Sequence, residues 1–155
     1  MFLMAYRITG LDPEPFRPLF ALSDRDLEER GMLRMTVTHG GFPCRVSLVD
    51  RPIEESVILL NHVSHDVANP YRSCHAIFVA DAEHAEFVDE VPPVFVPRVL
   101  SLRAFDRNGM MADALITQPG EADAGIRELF DNPEIVVIHA HNAVRGCFSA
   151  KIERA

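Results

Sequence analysis

Residues 134–154, EIVVIHAHNAVRGCFSAKIER, have the pattern of two β-strands joined by a short turn. Apolar and polar side chains alternate on both sides of residues 142–146, and this period of two is typical of strands with one buried face. We therefore predict a hairpin here. Since the other strand-like segments are also joined mostly by turns and not by helices, antiparallel pairing should dominate the whole fold.

The predicted hairpin carries two imidazoles on one face. Because successive side chains of a strand point to opposite faces, His139 and His141 should lie on the same side, roughly 6.6–6.8 Å apart along the strand. On the second strand, the same alternation places Cys147 and Lys151 opposite Phe148. Such a hairpin is either a functional site or an ordinary half-buried hairpin, and the pattern is compatible with both.

Seven further segments have the length and character of strands, and two have the signals of helices. The strand-like segments are residues 4–9, 33–38, 46–49, 56–61, 73–80, 99–105 and 111–117. A helix is predicted over residues 23–30, where Ser23 can cap the first turn and Gly31 supplies a left-handed stop. A second, amphipathic helix is predicted over residues 121–130.

The predicted connections complete the outline of the fold. Asn108 and Gly109 are a strong hairpin signal between two of the strands. Residues 62–72 and the proline-rich residues 81–98 are expected to be loops. We predict an α+β fold with a mainly antiparallel curved sheet or a partly closed barrel and two or three short helices. Residues 1–155 are expected to form a single domain.

The composition narrows the classes of partner. The chain has 155 residues, of which 48% are apolar and 25% charged, and its formal net charge is −8. This excess of carboxylates repels nucleic-acid phosphates and anionic lipids, so neither nucleic acid nor a membrane is an expected partner. Cys44, Cys74 and Cys147 form no CxxC pair, which favours reduced thiols in a cytoplasmic protein. No apolar run approaches the ~18 residues of a membrane span, and we interpret residues 1–10 as a first strand and not as a signal peptide.

Four blocks of the sequence, taken in order, resemble a known family. They are GFPCRVSL (residues 41–48), PYRSCHAIFV (residues 70–79), LSLRAFD (residues 100–106) and IHAHNAVRGCF (residues 138–148). The family is the bacterial one labelled domain of unknown function 1203, and the resemblance extends over nearly the whole chain. Its label implies neither an activity nor a ligand, so a site has to be argued from the side chains themselves.

A metal site is one interpretation of the histidines. His139 and His141 can share an ion when a third ligand, for which His75 is the candidate, comes from another strand. No acidic ligand follows the pair, however, and Arg145 adds positive charge beside the expected cation. We therefore predict no metal, although a protein with a His-ligated metal remains an alternative.

A nucleophilic thiol is a second interpretation. Cys147 or Cys44 would need a histidine as its base or a neighbouring cation such as Arg45 or Arg145, because the thiolate is the reactive form. The opposing interpretation is that both cysteines are small buried apolar residues, which is common for free cysteine.

A site for a small anion is the third interpretation. It depends on four arginines in otherwise apolar or uncharged segments of an acidic chain, namely Arg45, Arg72, Arg103 and Arg145. Arginine is well suited to bidentate binding of carboxylate or phosphate. Salt bridges to nearby aspartates are the opposing interpretation of the same residues.

Together these patterns predict an enzyme or an enzyme-like domain that acts on a small anionic molecule. The predicted catalytic residues are His139, His141 and Cys147, and the predicted ligand-binding residues are Arg72, His75, Asn142, Arg145 and Arg45. The alternative is a non-catalytic binding or dimer-forming module, a homodimer included, in which the histidines are structural. The sequence identifies no particular cofactor.

Overall fold

The computed structural model describes residues 4–155, which form nine β-strands, two α-helices and one 3₁₀ helix. The strands are β1 (Tyr6–Thr9), β2 (Leu33–Thr36), β3 (Ser56–His65), β4 (Ser73–Val79), β5 (Glu86–Val88), β6 (Leu100–Asp106), β7 (Met111–Thr117), β8 (Ile135–Asn142) and β9 (Phe148–Arg154). The helices are the 3₁₀ helix (Arg17–Ala21), α1 (Asp24–Glu29) and α2 (Ala122–Phe130). Residues 1–3, at the start of the segment predicted as the first strand, lie outside the described residues.

The strands are divided between two sheets, and neighbouring strands within each sheet are antiparallel. The larger sheet has the order β5-β1-β9-β8-β6-β7 and the smaller has the order β2-β3-β4. The prediction of an α+β fold with mainly antiparallel strands and few helices is therefore confirmed. Instead of one curved sheet or a partly closed barrel, the described strands form two open sheets.

Each sheet has its own apolar core. Helix α2 covers one face of the six-stranded sheet and approaches it closely at Gly125, where a Cβ would lie 2.5 Å from Cγ2 of Thr117. The 3₁₀ helix and α1 cover the three-stranded sheet, and Leu27 of α1 is fully buried in the core beneath them. Each large apolar side chain that is buried in this way contributes roughly 1.5–3 kcal/mol. None of the helices within residues 4–155 has the length and the apolar character to cross a bilayer.

The short-range signals of the sequence are confirmed. The backbone N of Asp26 donates to Oγ of Ser23 at 3.1 Å, and Gly31 ends this helix with a φ of 74°. Gly109, also with a φ of 74°, lies in the turn between β6 and β7. These features depend on residues that are adjacent in the sequence, so local preference and final structure agree.

Strand β3 is longer than the sequence predicts. The predicted loop over residues 62–72 begins within this strand, which continues to His65 and pairs with β4. Its register shifts between Val63 and His65, which is the signature of a β-bulge. Conversely, residues 46–49 form no strand, and the short strand β5 lies within the predicted loop over residues 81–98. The extension of β3 moves two histidines from a predicted loop into a sheet.

The hairpin of β8 and β9 forms as predicted, but its register contains a bulge. Ala140 is opposite Ala150, whereas His141 is opposite Phe148, so one residue of β9 is skipped. The predicted placement of Phe148 on the face opposite Lys151 is therefore wrong. Beyond the bulge, the Phe148 ring lies on the same face as the imidazoles, with its centroid 5.9 Å from that of His141.

The histidine face of β8 is turned toward the three-stranded sheet. The chain passes between the two sheets at Gly10, where a Cβ would lie 2.0 Å from the carbonyl oxygen of Val46. Next to it, the backbone N of Leu11 donates to the carbonyl of Arg45 at 2.8 Å. This close backbone contact joins the end of β1, in the large sheet, to the segment between β2 and β3.

Candidate functional site

Five of the seven histidines of the chain meet where the two sheets face each other. They are His62 and His65 on β3, His75 on β4, and His139 and His141 on β8, and we call them the inter-sheet histidines. The ring centroids of His65 and His139 are 5.2 Å apart, and those of His75 and His141 are 4.9 Å apart. Each of these two pairs joins one sheet to the other.

Two phenylalanines fill the space between the imidazoles. Phe105 stacks on His65 with a centroid distance of 4.0 Å. The ring of Phe148 lies 5.9 Å from that of His62 and 5.4 Å from that of His139. The three buried imidazoles, His65, His139 and His141, thus lie against aromatic rings, where water is largely excluded and a charged ring is disfavoured.

His139 has a cationic residue beside it on both neighbouring strands. In the six-stranded sheet it is directly opposite Arg103 on β6 and directly opposite Lys151 on β9. The Cβ atoms of such partners are roughly 4.5–5.5 Å apart, so the three side chains share one face of the sheet. The guanidinium of Arg103 is half-buried and its Nε donates to Oγ of Ser101 at 3.3 Å.

Burial and these two cations hold His139 neutral. Burial lowers the pKa of His139 to about 3, with further lowering from His65, His141, Lys151 and Arg103. His139 is only 5% exposed. A positive charge on its ring would therefore lose its hydration and face two cations at once.

Three more of the inter-sheet histidines, His62, His75 and His141, follow the same trend. Burial lowers the pKa of His141 to about 4, although the carbonyl of Gly146, 3.0 Å from its Nδ1, works in the opposite direction. Burial also lowers the pKa values of His62 and His75, and the two rings belong to opposite residues of β3 and β4. At neutral pH these four imidazoles are therefore uncharged.

A cleft of about 300 Å³ opens onto this layer from the side of β1 and β9. We call it the histidine cleft, and it is lined by Thr9, Gly10, Leu11, Asp12, His62, Val63, Ser64, His139, Phe148 and Lys151. Nδ1 of His139 is buried and has no hydrogen-bond partner among the described residues. Buried polar atoms are rarely left unpaired, so this nitrogen marks a place where the protein alone does not complete the hydrogen bonding.

A larger groove elsewhere on the molecule is a weaker candidate. It has a volume of about 500 Å³ and is lined by Arg17, Ser47, Arg51, Asp81, Ala82 and Glu83. The guanidinium of Arg51 is already bound by both carboxylate oxygens of Glu55 and approaches Oγ of Ser47. This groove contains no inter-sheet histidine, and its two arginines, Arg17 and Arg51, are each paired with a glutamate.

The structure brings several of the predicted site residues together. His75, His139 and His141 are all inter-sheet histidines. Arg45, Asn142 and Cys147 form a neighbouring cluster, in which Nη2 of Arg45 donates to Sγ of Cys147 at 3.1 Å and Nδ2 of Asn142 approaches the same sulfur at 3.5 Å. This cluster is outside the set of residues that line the histidine cleft.

Two predicted anion-binding residues are elsewhere. Arg72 is exposed, and its Nε lies 3.4 Å from a carboxylate oxygen of Asp66. Arg145 is exposed in the turn between β8 and β9. Neither is among the described residues that line the histidine cleft.

Three residues beside or among the inter-sheet histidines are absent from the set of site residues predicted from the sequence. His62 and His65 lie in the segment predicted as a loop. Lys151 appears in the predicted hairpin but without a role, although it is the only lysine among 15 basic residues. That single use of lysine, in a chain that otherwise uses arginine, is a signal that could have identified it.

The charges around His139 bear on the metal alternative. In the part of the chain that the structure describes, no group of three or more histidine, cysteine, aspartate or glutamate side chains could hold an ion. Arg103 and Lys151 next to His139 would also repel a cation. The same charges are suited to an anion.

Comparison with known proteins adds a family. The model of a family described as "Protein of unknown function (DUF1203)" matches residues 41–154. This range contains all five inter-sheet histidines and Lys151, whereas the segment Thr9–Asp12, on the other wall of the cleft, precedes it. No curated protein and no solved structure matches the chain.

Proposed function

Since this chain belongs to the DUF1203 family, whose description assigns no activity, we propose its function from the histidine cleft: it binds a small anionic molecule and acts on it by acid–base chemistry. One observation carries the proposal. Imidazoles from both sheets, His62 and His139, line a single cleft with the only lysine of the chain, Lys151. Polar groups that converge in one concave site are typical of small-molecule sites.

Lys151 serves as the anchor for the anion. Its Nζ lies 2.8 Å from a carboxylate oxygen of Glu153, and about half of its side chain is exposed, so it can turn toward a ligand. Arg103, which is opposite His139 on β6, is half-buried and adds positive charge. A charge-assisted hydrogen bond to such a ligand contributes about 1.5–3 kcal/mol.

The two imidazoles of the cleft have different environments and therefore different roles. His139 is buried between cations and stays neutral, so it acts as a hydrogen-bond donor that polarises the ligand. His62 is half-buried on the opposite wall, which makes it the acid–base group. Two titratable groups whose surroundings separate their pKa values are a recurring arrangement in acid–base catalysis.

The single lysine allows a direct test of binding. Reductive methylation with ¹³C-formaldehyde keeps the charge of Lys151 and gives one side-chain dimethylamine signal by NMR. Sulfate, phosphate and small carboxylates should shift this signal in a saturable way. Lys151→Met should weaken binding of the same anion, measured by calorimetry, by more than tenfold.

Arg145→Met is the matched control, because it removes the same charge from an exposed position outside the cleft. Its affinity should stay within about twofold of the wild type, as expected for a distant surface charge that salt screens. An equal loss in both variants would show that net charge alone attracts the anion. If no anion shifts the Lys151 signal, the proposed function is wrong.

A non-catalytic module is the second candidate, and one observation favours it. Nε2 of His65 pairs with the carbonyl of Gly109 at 2.9 Å, and Nδ1 of His141 pairs with that of Gly146 at 3.0 Å. Both contacts are typical of structural histidines. In this case His62→Gln would leave anion binding unchanged and lower only the stability.

A further inference from the structure

We infer that the histidine cleft takes up a proton together with its anion, and that His62 is the group that receives the proton. The inference rests on the proposed function and adds to it a regulation, namely that the site fills more readily as the pH falls. It also restricts the ligand to oxyanions that keep their negative charge at mildly acidic pH.

His62 lies where two strands of the small sheet meet the histidine cleft. It is directly opposite His75 on β4, and across the cleft it faces His139 on β8 and Lys151 on β9. The Phe148 ring, 5.9 Å away, covers part of it. The His62 ring therefore borders the volume that a ligand bound to Lys151 would occupy.

Charged side chains of both signs face this volume. Lys151 on β9, with its Nζ 2.8 Å from a carboxylate oxygen of Glu153, faces it from the large sheet, and the carboxylate of Asp12 faces it from the segment after β1. Arg103 on β6 is opposite His139 and is not among the described residues that line the cleft. Oδ1 of Asp12 already accepts a hydrogen bond from the backbone N of Glu14 at 3.0 Å. The other titratable side chains near His62 are imidazoles, namely His75 on β4 and His139 on β8.

A proton on His62 would thus share the cleft with the cation of Lys151, with neutral rings and with the carboxylate of Asp12, which already accepts a hydrogen bond, in a site that is partly removed from water. An anion between His62 and Lys151 reverses this situation. An opposite charge within about 4–6 Å stabilises the protonated ring and raises its pKa by about 1–3. Because such coupling is reciprocal, the protonated ring binds the anion more tightly by the same factor.

The other imidazoles are poorer receivers of the proton. His139 has Arg103 and Lys151 on its two sides, and a proton on its buried Nδ1 would find no acceptor among the described residues. His141 is 2% exposed and does not line the cleft. His65 and His75 are not among the described residues that line the cleft either, and Nε2 of His65 already pairs with the carbonyl of Gly109. This leaves His62, which is half-buried and lines the cleft.

The expected effect can be measured with sulfate, whose own charge is constant between pH 6.0 and 7.5. If each sulfate brings in up to one proton, its affinity rises by up to tenfold for each unit of pH decrease. We expect the Kd for sulfate to fall by more than fivefold from pH 7.5 to 6.0. The number of protons taken up follows from calorimetry in two cationic buffers with different enthalpies of protonation.

His62→Gln keeps the size of the side chain but cannot titrate, so it should lose the pH dependence. His139→Gln is the comparison, and it should keep the dependence even where sulfate binds more weakly. In the wild type, the Cε1 proton of His62 gives a second readout by NMR. The apparent pKa of the His62 ring, read from this signal, should rise when sulfate is added. This measurement uses the wild type, so it does not depend on whether a variant folds.

The outcomes separate this inference from the proposed function. Sulfate binding without proton uptake overturns the inference and leaves the proposed function intact. Proton uptake that persists in His62→Gln and disappears in His139→Gln assigns the proton to the wrong residue and also overturns it. If neither sulfate nor any other small anion binds at either pH, the proposed function itself is wrong.

Discussion

Arg45 directs its Nη2 at Sγ of Cys147, 3.1 Å away, in the interior of the protein. The guanidinium is 2% exposed, and burial lowers its pKa. Its Nε and Nη1 donate to the carbonyls of Phe148 and Pro43 at 2.8 and 2.7 Å. Because Phe148 is in the six-stranded sheet and Pro43 is in the segment that packs on the three-stranded sheet, Arg45 clamps the two sheets together.

Arg45→Met should therefore destabilise the protein by about 3 kcal/mol, because two buried carbonyls would lose their donor. Urea unfolding followed by circular dichroism measures the change. Arg145→Met, at an exposed turn, is the control and should cost less than about 0.5 kcal/mol. A cost below about 1 kcal/mol for Arg45→Met would mean that water replaces the guanidinium and that the clamp is not needed.

The three thiols should differ in their reaction with iodoacetamide. Cys74 is exposed and Cys147 is half-buried, whereas Cys44 is buried, with its Sγ 3.3 Å from the backbone N of Ala80. Intact-protein mass spectrometry should show two rapid additions, and a third only when denaturant unfolds the chain, since Cys44 becomes accessible only on opening. Three additions at similar rates would place Cys44 in a mobile region.

The protein should lose stability as the pH falls from 6.5 toward 3. For His139 and His141 the folded pKa values, about 3 and about 4, lie below the ordinary value of 6.5, so the unfolded chain binds more protons in this range. Unfolding is therefore favoured by acid, whereas above pH 6.5 the contribution of these residues is constant. At pH 5, His139 and His141 should each lower the free energy of unfolding by about 2 kcal/mol relative to neutral pH.

Urea midpoints at pH 7.5 and 5.0 test this expectation, and His141→Gln provides the comparison. The variant should be less stable than the wild type at neutral pH. Between pH 7.5 and 5.0, however, its free energy of unfolding should fall by about 2 kcal/mol less than that of the wild type. If the wild type and the variant respond equally to pH, other groups dominate the acid response.

Gly10→Ala should be among the most damaging single substitutions. Its Cβ would lie 2.0 Å from the carbonyl oxygen of Val46, and a backbone atom cannot turn away as a flexible side chain can. We expect a loss of about 3 kcal/mol or failure to fold. Gly40→Ala is the matched control, because a Cβ at Gly40 meets nothing within 4 Å, and its effect should be under about 0.5 kcal/mol.

What the sequence predicts well in this protein is local. The cap at Ser23, the turn at Gly109 and the shared face of His139 and His141 all follow from neighbouring residues or from the alternation within one strand. Each rule acts over a few residues, so no knowledge of strand order is required.

What the sequence could not supply is which strands are neighbours and in which register. Arg145 is close to His141 along the chain but lies in an exposed turn, whereas Arg103, 36 positions away from His139, is its direct partner. The residues after Asn61 resemble a loop because they are mostly polar, whereas one face of a strand is expected to be apolar. His62 nevertheless lies in a strand, where it pairs with His75. Long-range pairing overrides the local pattern at both places.

The pairing of β1 with β9 has a consequence for the order of events during translation. Tyr6 is opposite Arg154, so the six-stranded sheet cannot be assembled until the ribosome has released almost the entire segment described here. The three-stranded sheet, built from residues 33–79, can pair much earlier. During that interval its histidine-bearing face has no large sheet to cover it. The nascent chain therefore needs the hairpin of β8 and β9, which is made after the three-stranded sheet, to cover that face.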